Sequence, residues 1–120
     1  MLDISDCSST AIGVADSSKI PNYRFTASTT YNRWKYWIYN PWNARLNGRV
    51  GWTPSSTSNV RDEWLQIDFG SSYFICAIAT QGGGSGFLID DYVTKYKLKL
   101  SSNNRDWTYY TEGEVVRASI

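Results

Sequence analysis

At 120 residues the chain has room for one domain at most, and its 42% hydrophobic and 19% charged residues exclude a disordered polypeptide. Twelve Lys and Arg against eleven Asp and Glu leave a net charge of +1, so bulk charge does not select a polyanionic partner. Histidine is absent, which excludes a Ser-His-Asp triad, a His-ligated zinc and a His general base.

Met1-Leu2-Asp3-Ile4 has neither the basic start nor the apolar stretch of a signal peptide. The expectation is therefore either a missing preceding segment or a protein that stays inside the cell. Cys7 and Cys76 are too few for a disulfide scaffold and lack metal-ligand spacing. No metal or other cofactor is expected. From Ser17 to Arg61 there is no Asp or Glu, whereas Lys19, Arg24, Arg33, Lys35, Arg45, Arg49 and Arg61 all fall there. One part of the folded surface is expected to carry positive potential.

The first candidate strand is 23–29. Behind it comes a crowded stretch in which Trp34, Tyr36, Trp37, Tyr39 and Trp42 follow one another, with Arg33 and Lys35 among them. So many aromatics are hard to bury from a loop. They either fold back over the domain or stand exposed as a recognition surface. Gly51-Trp52-Thr53-Pro54 reads as a loop that hands over to a strand at 64–69. There Leu65, Ile67 and Phe69 share one face and Trp64, Gln66 and Asp68 the other, the period of a pleated sheet.

The run 73–80 is apolar, of strand length and far too short to span a bilayer. Inside it Cys76 reads as a buried thiol. Gly82-Gly83-Gly84-Ser85-Gly86 lacks the Lys-Ser/Thr ending and the helix of a phosphate cradle, and reads as a flexible loop leading to Phe87-Leu88-Ile89. Asp62-Glu63 and Asp90-Asp91 are sequence neighbours whose side chains diverge on an extended chain, so neither makes an acid/base pair by itself. In 92–101, Tyr96, Leu98 and Leu100 face one way and Lys95, Lys97 and Lys99 the other. The lysine row reads as a solvated face that discourages edge pairing, in preference to an anion grip. A turn at 102–106 joins this strand to 107–111 as a hairpin.

Weak helical periodicity, no internal repeat, and short alternating runs bounded by Gly, Ser, Asn and Pro together predict an all-β fold. The expected core is Leu65, Ile67, Phe69, Ile78, Tyr96, Leu98 and Leu100.

Several blocks occur in a fixed order: Cys7, Ile12-Gly13-Val14 with Lys19-Ile20-Pro21, Phe25-Thr26-Ala27-Ser28, Ala44-Arg45-Leu46-Asn47, Gly51-Trp52-Thr53-Pro54, Glu63-Trp64-Leu65-Gln66-Ile67-Asp68-Phe69-Gly70, and Tyr92-Val93-Thr94 through Tyr96. Together they resemble the discoidin family, also called coagulation factor V/VIII type C domains. The resemblance implies an antiparallel β-sandwich of jelly-roll, galactose-binding-like type, forming a single domain over 1–120. Members of that family carry further strands and a closing cysteine bonded to the one near the start. It implies, then, a C-terminally incomplete domain with its last strands missing and Cys7 unpaired, pairing of Cys7 with Cys76 being conceivable but without support from the family pattern, and the stretch 114–120 resembles nothing in the family. Arg45 and Asp68 are expected to be structural, paired inside the sandwich.

Function, by the same resemblance, is non-catalytic recognition or adhesion by an extracellular or cell-surface protein of several domains. The ligand contacts would lie on loops at one end. Tyr31, Arg33, Trp34, Lys35, Tyr36 and Trp37 belong to the first, Arg49 and Thr53 to the second, Phe87 and Leu88 to the third. Partners implied are membrane phospholipid, a cell-surface glycan or a protein ligand. In the neuropilin-type pocket Tyr31, Trp34 and Thr53 would form the wall, but Thr57 stands where an acidic residue is expected. An enzyme lacks its histidine, an identifiable thiolate environment and a separated carboxylate pair. The basic, aromatic window suits base stacking, yet the balanced charge argues against nucleic acid.

Overall fold

Alternation of apolar and polar side chains gives a strand one face to hide, and two such strands hide it best against another pair. The computed structural model describes residues 2–8, 10–33, 37–48, 50–55, 63–82, 93 and 96–110. In chain order the strands are β1 (Leu2–Asp6), β2 (Phe25–Ala27), β3 (Asn32–Arg33), β4 (Trp37–Ile38), β5 (Leu65–Ile67), β6 (Ile75–Thr80), β7 (Lys99–Leu100) and β8 (Thr108–Tyr109). Short 3-10 turns at Asn22–Arg24 and Pro41–Ala44 complete the regular structure, with no α-helix among the described residues. The fold is all-β, as the period-two runs predict.

Among the described residues four antiparallel pairs form: β1 with β6, β2 with β5, β3 with β4, and β7 with β8. The first two matter most. Ile4 lies opposite Ile78 across β1–β6, and Phe25 opposite Ile67 across β2–β5. Ile4, Phe25, Ile67 and Phe69 join Ile12, Val14 and Ile20 in one buried cluster, with Leu2, Trp42, Tyr73, Ile75 and Ile78 packed against it. Phe69 and Tyr73 meet edge to face with ring centroids 6.0 Å apart. Ile12, Val14 and Ile20 come from the link between β1 and β2, which is held down where Ile12 N–H donates to the Ile4 carbonyl at 2.9 Å.

Expected core positions fare unequally. Ile67, Phe69 and Leu100 are buried, while Leu65, Ile78 and Leu98 are half-buried. Tyr96 is 58% exposed, contrary to expectation. Alternation assigns a side chain to a face but not to a depth, and the ladder of β7 with β8 begins only at Lys99. The hairpin itself is as predicted, with Lys99 opposite Tyr109 and the Tyr110 N–H donating to the Leu98 carbonyl at 2.9 Å. The exposed Lys97 and Lys99 ammonium groups lie 5.8 and 4.6 Å from the Tyr109 ring centroid, a cation–π arrangement on a solvated face. Positions 92, 94 and 95 lie outside the described residues.

The cysteines require a correction. Cys7 and Cys76 form a disulfide with Cα atoms 4.9 Å apart, and both residues are exposed, so Cys76 is not a buried thiol. The cause is register. Asp6 pairs with Ile75 after an irregularity in the ladder, and the Cys7 N–H donates to the Phe74 carbonyl at 3.1 Å, which sets the two sulfurs side by side.

Arg45 and Asp68 are structural but not partners. Asp68 pairs with Arg24 at 3.4 Å. Arg45 donates to the carbonyls of Val14 and Ile20, both at 2.6 Å, and to the Asn22 side-chain oxygen at 2.9 Å, with its guanidinium 4.5 Å from the Phe25 ring centroid. Partial burial pulls its pKa down, and nearby Asp16 opposes that shift. Gly70 ends the β5 segment at φ +77°, where an added Cβ would meet the Arg24 guanidinium at 2.9 Å. A side chain there is disfavoured both by conformation and by space.

Two consequences are measurable by urea unfolding. Reduction of the Cys7–Cys76 bond, or Cys76→Ser, should cost about 2–4 kcal/mol, because it releases a long loop in the unfolded chain. Ile67→Ala, which empties a volume between the two strand pairs, should cost about 2–5 kcal/mol with the disulfide intact.

Candidate ligand-binding end

Because β2 and β5 run antiparallel with Ala27 opposite Leu65, the residues just after β2 meet those just before β5 at one end of the ladder. Ser28 N–H donates to the Trp64 carbonyl at 3.0 Å, and the Trp64 N–H returns a bond to Ser28 Oγ at 2.9 Å. One position further out, Glu63 Oε2 accepts from both Ser28 Oγ and Thr29 Oγ1, the latter at 2.7 Å. These hydroxyl donors hold the Glu63 carboxyl below its ordinary pKa, the Ser28 bond contributing most. An ionised carboxylate is stabilised when hydroxyls donate to it.

Thr29 then ties in the loop that follows Gly51. Its carbonyl accepts the Trp52 indole N–H at 3.0 Å, and its Oγ1 accepts the Ser55 N–H at 3.0 Å. Next to it, the Tyr31 N–H donates to the Thr53 carbonyl at 2.8 Å. Tyr31 in turn anchors the β3–β4 hairpin: its carbonyl accepts the Tyr39 N–H at 3.2 Å, and the two rings lie 5.8 Å apart at a tilt of 45°. The first and second loops are thus stapled together at the end of the ladder.

Of the candidate residues, Tyr31 and Thr53 are brought together directly. Arg33 and Trp37 are backbone partners across β3–β4, so part of the aromatic stretch forms a hairpin and not an irregular loop. Trp34, Lys35, Tyr36, Arg49, Phe87 and Leu88 lie outside the described residues. Sequence reasoning missed Thr29, Trp52 and Glu63 as the frame of this end. The signal was available in the register: pairing 23–29 with 64–69 sets the Ser28-Thr29 hydroxyls across from Glu63.

Elsewhere, a cleft of about 350 Å³ lies beside Arg45, lined by Ser17, Asn22, Trp42, Asn43 and Val50 among others. Its described lining includes no candidate residue. Among the described residues no group of three or more carboxylate or cysteine side chains is arranged to hold a metal ion.

Comparison with known proteins agrees with this architecture. Residues 24–119 match the F5/8 type C domain. Human neuropilin-2 is 40% identical over 103 residues, covering 82% of this chain and 10% of that protein. Chicken (Gallus gallus) neuropilin-1 is 37% identical over 100 residues, again covering 82% and 10%. Pig (Sus scrofa) lactadherin is 34% identical over 123 residues, covering 98% of this chain and 29% of that protein. The chain therefore spans about a tenth of the neuropilins and under a third of the lactadherin. The family match runs on to residue 119, so the stretch after 113 is not foreign to the family as its wording suggested. On the strength of that match and of these relatives, the chain belongs to the F5/8 type C, or discoidin, domain family of β-sandwich binding modules.

Proposed function

We propose that this domain is a non-catalytic extracellular recognition module that attaches to anionic phospholipid through the loops at the Tyr31–Thr53 end. The observation that carries the reading is the stapling itself: the Tyr31 N–H bond to the Thr53 carbonyl at 2.8 Å makes one end of two loops. The extracellular placement is supported by the Cys7–Cys76 disulfide, since such bonds persist in oxidising compartments. Family membership supports a ligand-binding role.

Charge accounting favours the same end. Arg24 is engaged with Asp68 and Arg45 with backbone carbonyls. Of the other five cations of the window, Lys19 lies in the β1–β2 link and Arg61 outside the described residues, while Arg33, Lys35 and Arg49 belong in sequence to the first and second loops. Trp34 and Tyr36 fall between β3 and β4 in sequence, and Trp37 lies in β4. Each inserted aromatic buries about 150–250 Å². At about 25 cal/mol/Å² two or three of them supply several kcal/mol before ordering costs. A basic side chain near an anionic surface adds about 1 kcal/mol.

A second reading is a pocket for a peptide or protein ligand, with Tyr31, Trp34 and Thr53 as its wall. It is favoured by the direct contact of Tyr31 with Thr53.

The two readings part in a vesicle assay. Trp34→Ala with Trp37→Ala should abolish binding to phosphatidylserine-containing vesicles. Neutralising Arg33, Lys35 and Arg49 should weaken binding and flatten its dependence on salt, because only the ionic part is screened. Circular dichroism confirms that each variant is folded. If the double Trp variant binds like the parent while charge removal abolishes attachment, apolar insertion is wrong. Loss of peptide binding without any vesicle binding by the parent would favour the pocket.

A further inference from the structure

We infer that Glu63 is a positioning residue for the ligand-binding end: through the Thr29 hydroxyl it fixes where the 50–55 segment sits relative to Tyr31. The inference concerns the loop frame, and its bearing on ligand rests on the reading proposed above.

The argument starts from proton counting. A hydroxyl has one proton to give and two lone pairs to accept with, whereas an ionised carboxylate only accepts. Thr29 Oγ1 lies 2.7 Å from Glu63 Oε2 and 3.0 Å from the Ser55 N–H. Its one proton must go to Glu63, which turns its lone pairs toward Ser55. The carboxylate thereby decides the direction of the whole chain of bonds. Charge on the acceptor polarises the hydroxyl and strengthens the bond that the hydroxyl accepts. Ser28 repeats the pattern, giving its proton to Glu63 and accepting the Trp64 N–H at 2.9 Å.

What depends on that direction is the loop, not the ladder. β2 and β5 are held by their own backbone pairing and by the burial of Phe25 and Ile67. The 50–55 segment has no strand to hold it, and its described ties run to Thr29 and Tyr31: Trp52 Nε1 and Ser55 N–H to Thr29, and the Thr53 carbonyl to Tyr31. Replacing Glu63 with leucine keeps a similar size but removes the acceptor, so the Thr29 proton is no longer assigned. The ladder stays; the loop loses its setting.

Nuclear magnetic resonance on the full chain tests this, with vesicle binding read in parallel. In Glu63→Leu and in Thr29→Val, the Ser55 amide and Trp52 indole resonances should shift. Ser55 amide exchange should quicken by about tenfold, the scale of losing a charge-assisted bond. The amides of Phe25 and Ile67 and the melting temperature should hold, and Thr29→Ser, which keeps the hydroxyl, should behave like the parent. Affinity for phosphatidylserine vesicles should fall in the first two variants and not in the third. Unchanged Ser55 and Trp52 signals in both variants overturn the inference. So does equal quickening at Phe25 and Ile67, which would make Glu63 a general stabiliser. If the resonances move as expected while the parent chain ignores vesicles, the positioning role stands and the phospholipid reading fails.

Discussion

A guanidinium leaves water only where other oxygens replace its hydration, and Arg45 meets that demand with two backbone carbonyls, those of Val14 and Ile20, and the amide of Asn22. The arrangement closes the link between β1 and β2 over the core, because Val14 and Ile20 are themselves buried members of the apolar cluster. Its cation also lies over the ring of Phe25, the first residue of β2. Next to it, the Leu46 N–H donates to the Leu2 carbonyl at 3.0 Å, which joins the same region to β1. One charged side chain therefore ties the β1–β2 link to the start of β2, and the backbone beside it, where Leu2 and Arg45 form a bridge, ties both to β1. The two ends of the β2–β5 ladder then divide the work, with the Arg24–Asp68 pair and Arg45 at one and the hydroxyl–carboxylate frame at the other.

How much of this is legible in the sequence depends on the range of the interaction concerned. Local alternation identifies β5 and the strand at 92–101, an apolar run of strand length identifies β6, and a turn cluster identifies the β7–β8 hairpin, because each signal is written in neighbouring residues. It misses β1, where Leu2, Ile4 and Asp6 make a short stretch whose strand character appears only against β6. The aromatic stretch after Tyr31 reads as a plain loop because Trp and Tyr at successive positions obscure any period. Its two ends nevertheless pair as β3 and β4. Arg45 and Asp68 are recognisable as structural from their place among family blocks, but partners are set by register. Asp68 meets Arg24 because its N–H donates to the Arg24 carbonyl at 2.9 Å, just beyond the Phe25–Ile67 pair.

The candidate end is legible in part for the same reason. Tyr31 and Thr53 belong to recognisable blocks, and their contact is a backbone bond that any residue types would make. The frame beneath them is chemical and specific. Ser28, Thr29 and Glu63 are ordinary in sequence until the β2–β5 register sets them opposite one another. The disulfide is hidden likewise, since neither cysteine's neighbours announce the other.

That disulfide has a mechanical consequence. Tension applied to the chain before Cys7 and after Cys76 passes from one sulfur to the other instead of along the 69-residue path between them. The covalent shunt takes in Tyr31, Thr53, Glu63, β2 and β5, so none of these is stretched while the bond lasts. A pull would load instead what lies outside the shunt, the β1–β6 ladder beyond Cys76 and the hairpin of β7 and β8. A domain of this build can bear tension and still keep its Tyr31–Thr53 end in shape.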